Sequence, residues 1–257
     1  MSEFEMLKER FANSTFKGKK KTIQTAIENA YADMSRRATG HNPSMKEVCV
    51  TWLVGEVFNG PLDTQDFDTW HKQICTSLAE KLNERKKGFG TVGRAQKVVN
   101  MAFKYLSCIS NDYDGVRQFC HMTLDGYTLA WYKDCVMPWA KKNKRQDVSK
   151  VMEWSKIDKY EDYKLMQDNI RAFLSEGAAY SVKIGAANTR YIALPSLPFE
   201  AEFIVWEGEI VRGKYMSLTK ELDKYANRYR GVPAGRENDK WIIEALFDDY
   251  LRSYCTK

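Results

Sequence analysis

Nothing in this sequence marks a membrane span, a secretory leader or a metal cage. No run approaches the roughly 18 apolar residues that a spanning helix needs. The opening residues, Met1-Ser2-Glu3-Phe4-Glu5, lack the basic and apolar regions of a leader. The expectation is a soluble, cytoplasmic protein, nucleoid-associated if its source is bacterial. Only three histidines are present, and the six cysteines (49, 75, 108, 120, 135 and 255) include no Cys-x-x-Cys pair. That spacing argues against zinc and iron–sulfur sites. Neither metal nor cofactor is expected, and the thiols read as reduced and buried. Internal repeats and low-complexity tracts are also missing.

What is present is a chain long enough for a substantial core, 257 residues with 44% apolar content. The formal net charge is +6, a mild excess compatible with a phosphate-contacting face. The charge is clustered in three blocks: Lys17 with Lys19, Lys20 and Lys21; Arg85 with Lys86 and Lys87; Lys141 with Lys142, Lys144 and Arg145. Each block taken alone reads as a solvated loop, but the second directly precedes a glycine-rich turn.

Helical spacing of apolar residues dominates. Helices are expected over Thr22–Ala38, Lys46–Phe58, Asp63–Lys87, Arg94–Ile109, Gly126–Lys142, Asp158–Leu174, Ser217–Tyr229 and Lys240–Tyr254, with Ser155 or Asp158 as the N-cap of the sixth. Between 177 and 213 the pattern shifts to β-formers and turn residues, notably at Tyr180–Ile184, Arg190–Leu194 and Glu202–Val205. The fold class is therefore mainly α, a two-lobed helical bundle with a helix–hairpin–helix element and a small β or irregular insertion. Residues 1–145 form the first lobe, and 146–257 a second lobe carrying the 177–213 excursion, together making one compact unit.

The most informative stretch is Gly88-Phe89-Gly90-Thr91-Val92-Gly93 running into Arg94-Ala95-Gln96-Lys97. A glycine turn entering a helix offers backbone N–H groups and a helix dipole to an anion. Gly88, Gly90, Gly93, Arg94, Lys86 and Lys87 are therefore the expected phosphate-binding residues. Lys97 lies one turn into the helix, with Arg94 and Lys104 as nearby cations able to lower its basicity. Asp125, in Leu124-Asp125-Gly126, starts the next helix, where N–H groups keep a carboxylate ionised. The bland reading makes Lys97 solvent-facing and Asp125 a plain N-cap.

The run Gly-x-x-Gly-Arg-Ala-Gln-Lys-Val-Val-x-x-Ala-x-Lys-Tyr, followed by His121-Met122-Thr123-Leu124-Asp125, resembles the helix–hairpin–helix DNA glycosylases, the archaeal 8-oxoguanine glycosylase branch above all. The resemblance covers roughly residues 63–135. It implies that Lys97 and Asp125 are the catalytic pair and that a base is flipped from double-stranded DNA into a pocket. His121, Trp131, Tyr132 and Trp52 are the base-pocket candidates. The implied activity is excision of a modified base, an oxidised purine or a bulky modified base of viral DNA, with a lyase step if Lys97 forms a Schiff base. A monomer is expected. The sequence departs from the commoner members: Ala95 stands where their hairpin lysine falls, Met122-Thr123 replaces their proline step, and the cluster cysteines are missing. The competing readings are a non-catalytic nucleic-acid-binding helical protein and a helical protein-interaction factor.

Overall fold

The computed structural model describes residues 3–35, 43–59, 62, 66–184, 188–210 and 212–213. The architecture is mainly helical: α1 (Glu3–Thr15), α2 (Ile23–Ser35), α3 (Pro43–Trp52), α4 (Phe67–Arg85), α5 (Val92–Leu106), α6 (Gly126–Trp131), α7 (Met137–Lys142) and α8 (Tyr160–Ser175). A ninth helix, α9, runs over 198–210. Two π-helical turns, Leu53–Val57 and Tyr132–Val136, continue α3 and α6. Extra residues thus enter two helices that periodicity alone reads as uninterrupted. Strands β1 (Ala179–Ile184) and β2 (Asn188–Ala193) form one antiparallel hairpin, registered from Ala179 opposite Ala193 to Ile184 opposite Asn188.

α5 is the axis of the molecule. Every one of its residues except Arg94 is buried. It packs against α2, α4, α8 and the turn at Trp154–Lys156. A helix surrounded on all sides should be apolar all round, yet α5 buries Gln96, Lys97, Asn100 and Lys104. Each needs a partner, because an unpaired buried polar group costs several kcal/mol. Those partners organise the site. Residues on both sides of position 145 enter one hydrophobic core around this helix.

The α4–α5 hairpin forms as the glycine turn requires. Gly88 has φ +76°, the left-handed region that favours glycine. Gly90 and Gly93 serve close approach instead. A Cβ on Gly90 would stand 1.8 Å from the Ala79 carbonyl oxygen, and one on Gly93 would stand 1.6 Å from the Trp154 carbonyl oxygen. Asn83 grips Gly90 at both N–H and C=O, each at 2.8 Å. Thr91 caps α5 by accepting from the Arg94 N–H and donates its own hydroxyl to the Ser155 carbonyl at 3.0 Å.

Two expectations change. The segment Glu202–Val205 is helical, within α9, not β. Its consecutive Phe203, Ile204 and Val205 are all buried, and a continuous apolar run does not distinguish a strand from a buried helix. α8 is capped by neither Ser155 nor Asp158. Lys159 is its N-cap, without a side-chain bond, because Trp154–Lys156 closes a 3₁₀ turn of its own. The expected helices at Ser217–Tyr229 and Lys240–Tyr254 lie outside the described residues, as does Cys255. The other five cysteines form no disulfide among the described residues, and burial pushes the Cys108 thiol up to about 11.

Gly93→Ala should destabilise the protein by about 1–3 kcal/mol, the usual cost of forcing atoms into a packed interface. Urea denaturation measures it. A midpoint equal to wild type would contradict the close approach of Trp154 to α5.

Candidate functional site

The Met122–Asp125 segment is buried and joins no helix or strand, and its hydrogen bonds come from side chains rather than from a neighbouring strand. Gln167, on α8, accepts from the Met122 N–H (3.1 Å) and donates to its carbonyl (2.7 Å). Glu202, on α9, accepts from the Thr123 N–H at 2.7 Å. Gln96, on α5, accepts from the Leu124 N–H (3.2 Å) and donates to its carbonyl (2.7 Å). The Thr128 hydroxyl donates to the Thr123 carbonyl and accepts from the Asp125 N–H. The segment therefore satisfies the demand that buried backbone be paired, and it delivers Asp125 to the start of α6.

Asp125 divides its two oxygens between two tasks. Oδ1 accepts from the Tyr127 and Thr128 N–H groups, completing a capping box with Thr128. Oδ2 turns away from the cap. It lies 3.6 Å from Lys97 Nζ and accepts from Trp206 Nε1 at 3.3 Å. Asp125 is thus an N-cap through one oxygen, while its other oxygen meets Lys97 and Trp206. Lys97 is not solvent-facing. Its side chain is 10% exposed, with Nζ 4.6 Å from the centroid of Trp154.

Lys97 and Asp125 line one cavity of about 260 Å³. Trp154, Trp206 and Tyr127 form aromatic walls, and Asp33 adds a second carboxylate. Tyr127 and Trp206 meet edge to face, 5.8 Å between centroids. The volume falls just below the roughly 300–1,000 Å³ of sites for drug-sized ligands, which suits a single planar ring system. Such a space combines π faces for stacking with one amine and carboxylates for proton transfer. A larger depression on the other side of Trp154 and Gly126 contains Lys133 and Arg212, the latter bonded to Asp134 at 2.7 Å.

The expected phosphate-binding residues divide into two groups. Lys86, Lys87 and Gly88 are exposed at the hairpin tip. Gly90, Gly93 and Arg94 have their N–H groups committed internally, to Asn83, to the Ile157 carbonyl (2.8 Å) and to Thr91. The Arg94 guanidinium folds back onto the Phe89 carbonyl and lies 4.4 Å from the Phe89 ring centroid, which clamps the turn. Burial lowers its pKa, only partly offset by Asp158. The α5 N-terminus is covered by the 154–157 turn, so it does not present the bare amides that its glycines suggest. Lys104, the other cation expected to act on Lys97, is paired with Glu202 at 3.0 Å.

None of the four base-pocket candidates lines the cavity. Trp131 packs edge to face on Phe173. The Tyr132 hydroxyl donates to Asp147 at 2.5 Å, and Trp131 and Tyr132 are fully buried. Trp52 bonds Glu56 through Nε1 at 2.6 Å, with Lys81 over its ring. His121 belongs to a closed polar ring. Its Nε2 meets Asp68 at 2.7 Å and its Nδ1 the Tyr163 hydroxyl at 2.8 Å. Asn100 donates to that hydroxyl and takes His71 Nε2 at 2.9 Å, and His71 Nδ1 meets Tyr160 at 2.8 Å. The aromatics that do line the cavity escaped the sequence reading. Trp154 carried a signal, an aromatic stranded in the polar run Glu153-Trp154-Ser155-Lys156 with no helical stripe to join.

No family model matches this chain, and no curated protein or solved structure is significantly similar to it. Its function therefore has to be read from the site. No helix among the described residues is long and apolar enough to cross a membrane.

The histidine ring generates a pH dependence of stability. Burial pushes His121 down to about 4, against the opposing pull of its bond to Asp68. His71 is also lowered, by burial and by His121. Burial pushes Asp68 up, but the His121 bond, Arg171 and Lys164 outweigh it and hold the carboxyl well below the usual range. Between pH 4 and 6.5 the unfolded chain binds imidazole protons that the native state refuses. Stability is thus full above about 6.5 and falls as pH drops towards 4, by on the order of 3 kcal/mol from His121 alone. Urea unfolding at pH 7.5 and pH 5 should show the loss, and His121→Gln should flatten it. Equal stability at both pH values would refute the neutral, buried pair.

Proposed function

We propose that the protein is a DNA glycosylase with a lyase step, excising a modified base flipped from double-stranded DNA, an oxidised purine or a bulky modified base of viral DNA. The observation that carries this reading is the placement of Lys97 Nζ and Asp125 Oδ2 3.6 Å apart in one aromatic-walled cavity. The exposed Lys86 and Lys87 at the hairpin tip supply sequence-independent attraction to phosphate. The earlier likeness to the helix–hairpin–helix glycosylases points the same way.

In this mechanism the flipped base stacks against Trp154, Trp206 or Tyr127. Asp125 Oδ2, the carboxylate oxygen facing Lys97, first takes a proton from the lysine ammonium. The freed amine donates its lone pair to sugar C1′ as the glycosidic bond breaks, and the departing base, which keeps the bonding electron pair, takes that proton from Asp125. The new C1′–N bond leaves two protons on a positively charged nitrogen, and Asp125 Oδ2 removes one of them. Ring opening then gives the protonated imine as the sugar ring oxygen takes the proton held by Asp125. Asp125 also stabilises the positive charge that develops on the sugar as the bond breaks. Trp206 Nε1, bonded to the same oxygen, keeps the carboxylate directed at the reaction rather than at its cap.

The test is borohydride trapping on duplexes carrying an abasic site, with base release measured on duplexes holding oxidised purines or bulky modified pyrimidines. Wild type should give a covalent adduct that Lys97→Gln loses. Asp125→Asn should lower base release by roughly 10²–10⁴-fold while DNA binding persists. Salt-sensitive binding without adduct or release would make the protein a binding module instead, and no binding at low salt would remove DNA altogether.

A further inference from the structure

The cavity places Lys97 and Asp125 together, but the two residues belong to chain segments that do not otherwise need to be in register. One buried side chain joins them. Gln96 precedes Lys97 on α5 and bonds both backbone groups of Leu124, the residue preceding Asp125. Its amide also donates to the Gly93 carbonyl at 2.9 Å, and its oxygen accepts from Asn100 Nδ2 at 3.1 Å. All four bonds are internal, and the residue is fully buried. Leucine would fill similar space on α5, but it would strand the buried Leu124 N–H and C=O that Gln96 satisfies, which is unfavourable for buried polar groups.

We infer that Gln96 is a positioning residue that sets the Lys97–Asp125 separation, acting through the Leu124 backbone. The assignment of a role in turnover rests on the glycosylase reading above; the geometric role does not. Gln96 is fixed on both sides. Asn100 ties it to the histidine–tyrosine ring, and the Gly93 bond ties it to the start of its own helix. The two bonds to Leu124 therefore pull the Met122–Asp125 segment to a set depth against α5. Gln167 does the same for Met122 from the opposite side, but it sits two residues further from the carboxylate and has no link to the lysine's helix. Without the Gln96 clamp, Asp125 keeps its cap at α6, while the carboxylate no longer holds its station against Nζ.

The experiment pairs Gln96→Met, which keeps the volume and loses the bonds, with Gln96→Asn, which keeps an amide one methylene too short to span Leu124. Two readouts are taken. The first is the single-turnover rate of imine formation alongside the dissociation constant for DNA. A fall of roughly 10²-fold in rate is expected, the cost of about an ångström of misplacement, with binding unchanged. The second needs no activity: the ¹⁵N signal of Lys97 Nζ, assigned by its disappearance in Lys97→Gln. It should move in both Gln96 variants in the same direction as in Asp125→Asn. Lower stability with a wild-type Nζ signal and rate would make Gln96 a packing residue and overturn the inference. A wild-type protein that traps no imine would sink the glycosylase reading alone, and the Nζ signal would still decide the role of Gln96. If the Met variant fails to fold, the Asn variant carries both readouts.

Discussion

A buried tetrapeptide that belongs to no helix and no strand has no regular backbone partner inside a helical core. Met122–Asp125 is such a segment, and the fold around it is arranged to meet its hydrogen bonds. Three helices distant in sequence each contribute one buried polar side chain: Gln96 from α5, Gln167 from α8 and Glu202 from α9. Removing any of them would leave buried backbone groups unpaired, at about 1–3 kcal/mol each. The same demand explains why α5 is polar on a face that packing alone would make apolar. The segment ends at Asp125, so the elements that satisfy the backbone also locate the carboxylate.

A second constraint is the seal over the start of α5. The turn at 154–157 lies so close to the helix that only glycine fits at position 93. It consumes the Gly93 N–H and the Thr91 hydroxyl. The contact removes amides that an anion would otherwise use, and in exchange it brings Trp154 over Lys97. At the hairpin tip, Lys86 and Lys87 stay exposed beside the left-handed Gly88. The aromatic wall of the cavity and the loss of the bare helix end are one event in the packing.

The sequence was legible where signals are local. Helix α5 announces itself by its apolar spacing, and the glycine turn and the Leu124-Asp125-Gly126 step mark Lys97 and Asp125 without reference to anything distant. The mainly helical class follows from the same periodicity. What could not be read depends on tertiary proximity. Trp154 and Trp206 join the site from segments far along the chain, and Trp206 lies next to the buried run Phe203-Ile204-Val205, whose composition favours strand. His121, Trp131, Tyr132 and Trp52 were plausible by residue type, but type does not say which side of a helix faces a cavity. His121, Trp131 and Tyr132 pack within the core instead, and Trp52 is held by Glu56 and Lys81. Gly90 and Gly93 show the limit at finer grain: a glycine required for close approach and one required to free an amide look alike in sequence.

Two lysine–carboxylate pairs sit on α5 seven residues apart, two turns along one face, and comparing them isolates what makes one of them a candidate for chemistry. Lys104 and Glu202 meet at 3.0 Å, with both side chains almost wholly buried. Phe11, Phe203 and Trp206 enclose the ammonium, and the second oxygen of Glu202 is held by the Thr123 N–H. That pair is tightly held: breaking it would strand a buried charge at a cost of about 3–5 kcal/mol, and the separate cavity of about 260 Å³ that Lys104 borders is lined by Phe11, Phe203 and Trp206 and not by Glu202. Lys97 and Asp125 stand further apart, at 3.6 Å, beyond good hydrogen-bond length, and they face an open cavity. Trp206 borders both pairs, with its ring face toward Lys104 and its N–H on Asp125. The helix thus uses one ion pair to hold α9 in place, and that placement supplies the indole that orients the carboxylate of the other.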